Sequence, residues 1–362
     1  MAGIRRIRGG LVGDATYFHG PRFGSGWTWD DLQFYYGAEV SPLMLEDNVV
    51  DLVFRPGPRP GAPCIVETRP PTTYVAFVHR TSTVDAHATR DLELYRPLGG
   101  NIVHVTGQLP LGAAPWTDAV AVHDAPRWFV TQLDSRLTQQ QVQIAKSPRT
   151  VDWLSPAEAR PDYTRMVEIA AVDSPPLAEL VRQMMKPSQN LYAQALFLQV
   201  GRQRQSRQTS LAIPANYTEY TGVSAIAELG DFLVELGIST NSVKLEDGAG
   251  LSRRALVTPN ALVALLKRMD RHRYADVFQS SLPVAGVDGT LRDRMKNTPA
   301  ENRVRAKTGS LAHVYTLSGY VTTAAGERLV FSFMLNNPAS ATEARSDLDF
   351  LAVLLAALED RS

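Results

Sequence analysis

The sequence predicts an α+β fold in two blocks, and three observations predict it. Up to about residue 150, apolar β-branched runs alternate with Pro/Gly turns, the pattern of strands and hairpins. After a Pro- and Ser-rich stretch at 146–162, apolar spacing switches to the 3.6-residue period of helices. Three strand-like segments and one amphipathic helix then close the chain. Strands and helices in separate blocks favour α+β over alternating β-α-β. The expected domains are 1–155, β-rich, and 156–362, a helical cluster with an antiparallel sheet.

Each element has a local reason. The apolar run 48–54 is followed by Arg55-Pro-Gly-Pro-Arg-Pro-Gly-Ala-Pro63 and a second strand from Cys64, which reads as a hairpin. Further strands are expected over 72–78 and 102–106, and a helix over 128–137. In the second block, Ser174-Pro175-Pro176 precedes Leu177, Leu180, Val181, Met184 and Met185, giving a Ser-capped helix that Lys186-Pro187 breaks. A helix over 190–200 is expected to end at Gly201, and others are expected over 223–236 and 258–271. Strands are expected over 303–307, 316–323 and 328–335, the last two joined by Ala324-Ala-Gly-Glu327 as a hairpin. An amphipathic helix over 343–358 follows.

Composition excludes several classes. The 362 residues carry 37 basic and 37 acidic side chains, so no basic face marks a nucleic-acid binder. No apolar run reaches the ~18 residues of a membrane span, and the charged start has no apolar stretch behind it to form a signal peptide. Cys64 is the only cysteine, which rules out an internal disulfide or a multi-Cys metal site; it reads as a small buried hydrophobe. The histidines His19, His79, His87, His104, His123, His272 and His313 lack metal-ligand spacing, so no metal is expected. Gly248-Ala-Gly250 is too short for a phosphate cradle, no Gly-x-Ser-x-Gly elbow occurs, and no cofactor is expected.

The informative residues lie at element boundaries. Lys307-Thr308-Gly309-Ser310 ends a strand, where a lysine beside Val304 and Ala306 would point a cation into a cleft. Gly309 would let a ligand backbone approach, and Ser310 could offer a hydroxyl and an N–H to an anion. Ser188-Gln-Asn190 lies between two helices, where N-capping is by itself the simpler explanation. Asp247-Gly-Ala-Gly-Leu-Ser-Arg253 and Ser281-Leu-Pro-Val-Ala-Gly-Val-Asp-Gly-Thr290 are glycine-rich loops that turn chemistry alone could explain.

Taken together and in order, these four motifs resemble the penicillin-binding protein 4-type D-alanyl-D-alanine carboxypeptidases/endopeptidases, the class C low-molecular-mass penicillin-binding proteins. Ala249 departs from the Gly-Ser-Gly usual there. The resemblance implies a serine β-lactamase/transpeptidase-like domain at the back and β-rich inserted domains at the front, including Ile7-Arg-Gly-Gly-Leu-Val-Gly-Asp14. It implies a peptidoglycan stem peptide ending in D-Ala-D-Ala as substrate, β-lactams as ligands, and work outside the cytoplasmic membrane. Ser188 and Asn190 would be the second catalytic motif, relaying a proton to the leaving amine and orienting the substrate. Lys307 would supply positive potential for the substrate's terminal carboxylate, which Thr308 and Ser310 would bond. Arg253 would read a side-chain carboxylate, and Asp14 and Phe18 an amine and its alkyl stem.

One family motif is missing. The nucleophile there comes from Ser-x-x-Lys, but the residues three before Lys146, Lys186, Lys244, Lys267, Lys296 and Lys307 are Gln143, Gln183, Asn241, Ala264, Asp293 and Val304. The expectation is a chain lacking the segment that bears the nucleophile, inactive as it stands, with apolar helix faces left uncovered. A non-catalytic peptide-binding relative is the alternative, and an unrelated hydrolase using Ser188 with Lys186 or Lys307 a more distant one.

Overall fold

The computed structural model describes residues 3–208 and 219–361. These form two compact units. One holds the described residues of Met1–Ala171 and Thr209–Gly222, the other those of Val172–Gln208 and Val223–Ser362. The sequence boundary was expected at 155. The first unit runs further, to Ala171, and beyond 155 Tyr163 is tied back to Asp14 of the same unit by a hydrogen bond.

The first unit is built of short sheets around one helix. Strands β1 (Arg6–Ile7) and β2 (Val12–Ala15) precede β3 (Val49–Arg55), β4 (Ile65–Arg69), β5 (Ala76–Val84), β6 (Asp91–Tyr95), β7 (Ile102–Pro110) and β8 (Trp116–Ala121). Helix α1 (Ala125–Gln139), β9 (Gln143–Ile144) and β10 (Arg149–Asp152) follow. The β3–β4 hairpin is antiparallel, with Phe54 opposite Val66, and β8 pairs on the other side of β3. The expected strand over 72–78 begins only at Ala76, because Arg69-Pro70 and Pro71 cannot continue a ladder. Three parallel pairings, β1–β9, β2–β10 and β5–β7, join segments far apart in sequence. Local pattern carries no sign of such pairings. Phe54, Leu52, Val103, Val105, Leu109 and Trp128 form the buried core, and Cys64 is buried with them, as its apolar neighbours suggested.

A buried carboxylate organises this unit. Glu39 is 3% exposed. It accepts hydrogen bonds from His123 Nδ1 at 2.8 Å, Asp124 N at 3.0 Å, Ala125 N at 3.2 Å and Arg22 Nη1 at 3.2 Å. Two of those donors are the orphan amides at the start of α1, where a negative charge also meets the helix dipole. Burial pushes the Glu39 carboxyl up, but the bonds from His123, the amides and Arg22 outweigh it and hold it below 4.5. The bond to Glu39 raises His123 above 6.5.

The second unit contains α2 (Leu177–Met185), α3 (Asn190–Gln208), α4 (Thr221–Glu235) from Val223 onward, the short β11 (Val243–Lys244) and β12 (Leu256–Val257), α5 (Pro259–Met269) and α6 (Ala275–Ser281). Strands β13 (Val304–Leu311), β14 (Val314–Thr322) and β15 (Arg328–Asn336), then α7 (Ala341–Ala356), complete it. The sheet is antiparallel in that order, with Lys307 opposite Ser318. One face, carrying Val304, Ala306, Leu317, Val321 and Phe331, packs on Ala344, Leu348 and Ala352 of α7. The other places Tyr320 against Leu266 and Leu282. Thr258 caps α5 by accepting from Ala261 N, as its Thr-Pro start suggests.

Three expectations are corrected here. Ser174 does not cap α2: Pro176 holds the cap position with no side-chain bond. Helix α3 runs through Gly201 to Gln208, because Gly201 is buried and the turns beyond it are held by ion pairs from Arg204 and Arg207 to Glu228. Helix α6 was not anticipated, being too short to show a period. Apolar side chains do lie open on the helices of this unit, among them Leu177, Val234, Phe350, Leu351 and Leu354.

Replacing Glu39 by Ala leaves two helix amides without their acceptor and takes one of the carboxylates that Arg22 shares with Asp124 and Asp152, and should destabilise the first unit by ~3 kcal/mol in urea unfolding. The His123–Glu39 contribution should be complete at pH 5–6, above the ordinary Glu range and below the ordinary His value. It should fade as pH rises through the raised His123 pKa, or falls through the lowered Glu39 pKa. His123→Gln should therefore cost stability at pH 5.5 and much less at pH 9; equal losses at both would show that the ion pair is not the cause.

Candidate active site

The site begins with a break between two helices. Pro187 cannot extend α2, and the chain reverses through Ser188, whose φ of 64° is uncommon for a non-glycine residue. The capping explanation for Ser188 falls to its neighbour: Gln189 Oε1 accepts from Leu191 N at 3.1 Å. The Ser188 hydroxyl is turned elsewhere and accepts a hydrogen bond from Lys307 Nζ at 2.6 Å. Asn190 stands two residues on, as the first residue of α3.

Lys307 comes from the middle of β13 rather than its end, since the strand runs on to Leu311. Strand alternation puts Lys307 on the face opposite Val304 and Ala306, which belong to the α7 core. Its ammonium also donates to Thr308 O at 2.8 Å. Burial lowers its pKa from 10.5 to about 8, the direction expected for a cation withdrawn from water.

The outer edge of β13 is part closed and part open. Ala306 N donates to Pro283 O and Ala285 N to Val304 O, so the loop after α6 covers the strand's first half. With a two-residue period, the N–H groups of Thr308 and Ser310 face the same outer edge. Ser310 itself is exposed. Thr308 Oγ1 meets Thr290 Oγ1 at 2.9 Å. A Cβ at Gly309 would lie 2.4 Å from Thr316 Oγ1 across the pair, so the cross-strand neighbour by itself favours glycine there.

Arg253 is exposed beside the turn joining β13 to β14, where its Nη1 donates to Ala312 O at 3.0 Å. Its loop is anchored on α3: Gly248 N donates to Gln194 Oε1 at 2.7 Å, and Leu251 N to Asp247 Oδ2 at 3.1 Å. Ser188, Lys307, Thr308, Gly309, Ser310 and Arg253 thus share one unit with Asn190. Asp14 and Phe18 belong to the first unit. Asp14, on β2, accepts from Thr16 N at 2.8 Å and from the Tyr163 hydroxyl; Phe18 packs on Tyr17 with ring centres 5.2 Å apart.

Sequence reading missed three contributors. Lys186 was read as a helix breaker and as a conceivable partner of Ser188, but its ammonium bonds Asp288. Asp288 and Thr290 sat in a loop that turn chemistry explained. No local signal links Lys186 to residues so distant in the chain.

Known proteins bear on this geometry. The description "D-Ala-D-Ala carboxypeptidase 3 (S13) family" matches residues 1–358. A "D-alanyl-D-alanine carboxypeptidase" of Actinomadura sp. (strain R39) is 32% identical over 98% of this chain and 64% of its own length. The crystal structure of penicillin binding protein 4 (dacB) from Haemophilus influenzae superposes with a TM-score of 0.74 at 24% identity, covering 98% of this chain and 76% of that one. The same protein complexed with a β-lactam gives 0.64 at 23% identity, over 89% and 71%. At such identities these structures speak for the fold: the α+β architecture is that of a penicillin-binding protein. The chain spans 62–66% of the length of three curated relatives it matches. With a strand lysine bonded to a serine between two helices, and a family match over nearly every residue, the chain belongs to the D-Ala-D-Ala carboxypeptidase 3 (S13) family.

Proposed function

We propose that this chain carries the peptide-recognition machinery of a serine-type D-Ala-D-Ala carboxypeptidase/endopeptidase acting on peptidoglycan stem peptides outside the cytoplasmic membrane. The observation that carries the reading is the 2.6 Å contact between Lys307 Nζ and Ser188 Oγ. An ammonium has three N–H donors, and Lys307 gives two of them to Ser188 and Thr308 O, which leaves one for an incoming carboxylate. Ser188, accepting from an ammonium, must aim its own proton away, toward that carboxylate or the leaving amine. Asn190 orients the peptide from the head of α3. Thr308 and Ser310 bond the terminal carboxylate, and the Ser310 N–H serves as half of an oxyanion hole. Arg253 takes a side-chain carboxylate of the stem peptide. The first unit corresponds to the family's inserted domains and the second to its transpeptidase-like domain. β-Lactams, which carry a comparable carboxylate, enter the same grip.

Acyl transfer also needs a nucleophile, and none of the six lysines follows a serine by three residues. These 362 residues therefore bind without forming an acyl-enzyme. That same observation favours a second reading, a relative whose whole task is to hold the peptide.

Calorimetry with a muropeptide ending in D-Ala-D-Ala should show saturable binding without hydrolysis. Lys307→Met removes a charge-assisted contact of ~1.5–3 kcal/mol, a loss of about 10- to 100-fold in affinity. Ser188→Ala and Arg253→Met should weaken binding less. Affinity should fall as pH rises through about 8, where Lys307 loses its proton. Fold stability has the opposite slope between that value and 10.5, because the unfolded lysine then holds the proton the folded one has released. No heat of binding from the parent protein would sink the reading; measurable release of D-Ala would refute the absence of catalysis.

A further inference from the structure

Lys186, two residues before Ser188, is only 15% exposed although it is a lysine at a helix end. Its ammonium bonds three acceptors: Asp288 Oδ2 at 2.6 Å, Asp288 Oδ1 at 2.8 Å and Leu282 O at 2.7 Å. Its carbonyl accepts from Thr290 N at 3.1 Å. A Cβ on Gly289 would lie 2.6 Å from that same carbonyl, so the loop can approach this closely only with glycine there. The loop is tied in turn to the strand of Lys307: Pro283 O and Ala285 N bond β13, and Thr290 Oγ1 meets Thr308 Oγ1. Asp288 Oδ1 also accepts from Val284 N at 2.9 Å, which folds the loop onto itself. A continuous run of bonds therefore leads from the Ser188 turn, through Lys186 and the 282–290 loop, to β13.

We infer that Lys186 and Asp288 are positioning residues of the ligand grip. Their ion pair staples the Ser188 turn to the loop that edges β13, and so sets the separation of Ser188 Oγ and Lys307 Nζ. A lysine whose only task was to end a helix would be solvated; this one bonds three acceptors on a single loop. Ser188, held at a positive φ and followed at once by α3, has no other described tie to β13 than the Lys307 bond itself. The inference rests on the reading of Lys307 and Ser188 as the grip, but its test needs no ligand.

The measurement is an NMR titration of protein carrying labelled lysine side chains, with Lys307 assigned by its disappearance in Lys307→Arg. The parent midpoint is expected near 8. Lys186→Met and Asp288→Ala should each release the turn, admit water around Lys307 and raise its midpoint by about one unit or more toward the ordinary lysine value. Charge effects alone would give opposite signs, because losing Lys186 removes a cation whereas losing Asp288 exposes one. Lys186→Arg, which keeps an ion pair to Asp288, should recover most of the parent midpoint. Asp288→Asn serves should the alanine variant fail to fold, with a smaller rise expected. Arg204→Met, which breaks ion pairs between α3 and α4, is the control for general loosening and should leave Lys307 unmoved. Unchanged midpoints, opposite shifts in the two single variants, or an equal shift in the control would each overturn the inference. If the midpoints rise together in a protein that binds no stem peptide, the staple stands and the ligand reading falls; if the parent binds but the midpoints stay fixed, the reverse holds.

Discussion

A lysine ammonium withdrawn from water is the constraint on which the second unit turns. Burying a cation is costly unless every donor finds an acceptor. Lys307 meets a serine hydroxyl and a backbone carbonyl, neither of them charged. The residual cost appears as a depressed pKa. The fold tolerates it because both partners are fixed by other means: β13 by its full register with β14, and the Ser188 turn by Pro187 and the loop that Lys186 holds.

Glu39 in the first unit shows the opposite solution. It too is a buried charge, but four donors converge on it, two of them from the start of α1. Its balance closes within the protein, and its pKa moves in the direction that stabilises the charged form. A charge with a complete set of partners fixes structure; one with an incomplete set is where a ligand of opposite sign gains most. By this measure Glu39 is architecture, whereas Lys307, in the middle of β13, keeps bonding capacity in hand.

How much of this could be read from residues alone follows from the range of each interaction. Periodic segments were legible: β13 to β15, α5 with its Thr-Pro start, and α7 all lie within a few residues of where the pattern puts them. The family was legible from the ordered motifs of the second unit, because their spacing reflects a shared ancestry. The crowding of Gly309 by Thr316 was not legible, since that partner lies across a strand pair whose register no local pattern fixes. The parallel pairings of the first unit and the Lys186–Asp288 bond were illegible on the same grounds. In each, the partners are brought together by the completed fold, and neither residue advertises the other.

The distribution of such long-range ties also bears on what a recognition cleft can lose. Lys307, Ser188 and Arg253 are held by β13, by the 282–290 loop and by the α3-anchored Arg253 loop, all within one unit. None of these supports passes through a Ser-x-x-Lys turn, which this sequence does not contain. Grip and nucleophile are therefore separable in construction even where a family uses them together: carboxylate recognition depends on potential and hydrogen-bond donors placed by the sheet edge, whereas bond cleavage depends on a hydroxyl and its base. This chain holds the first set of supports, with a cation whose charge changes just above neutral pH.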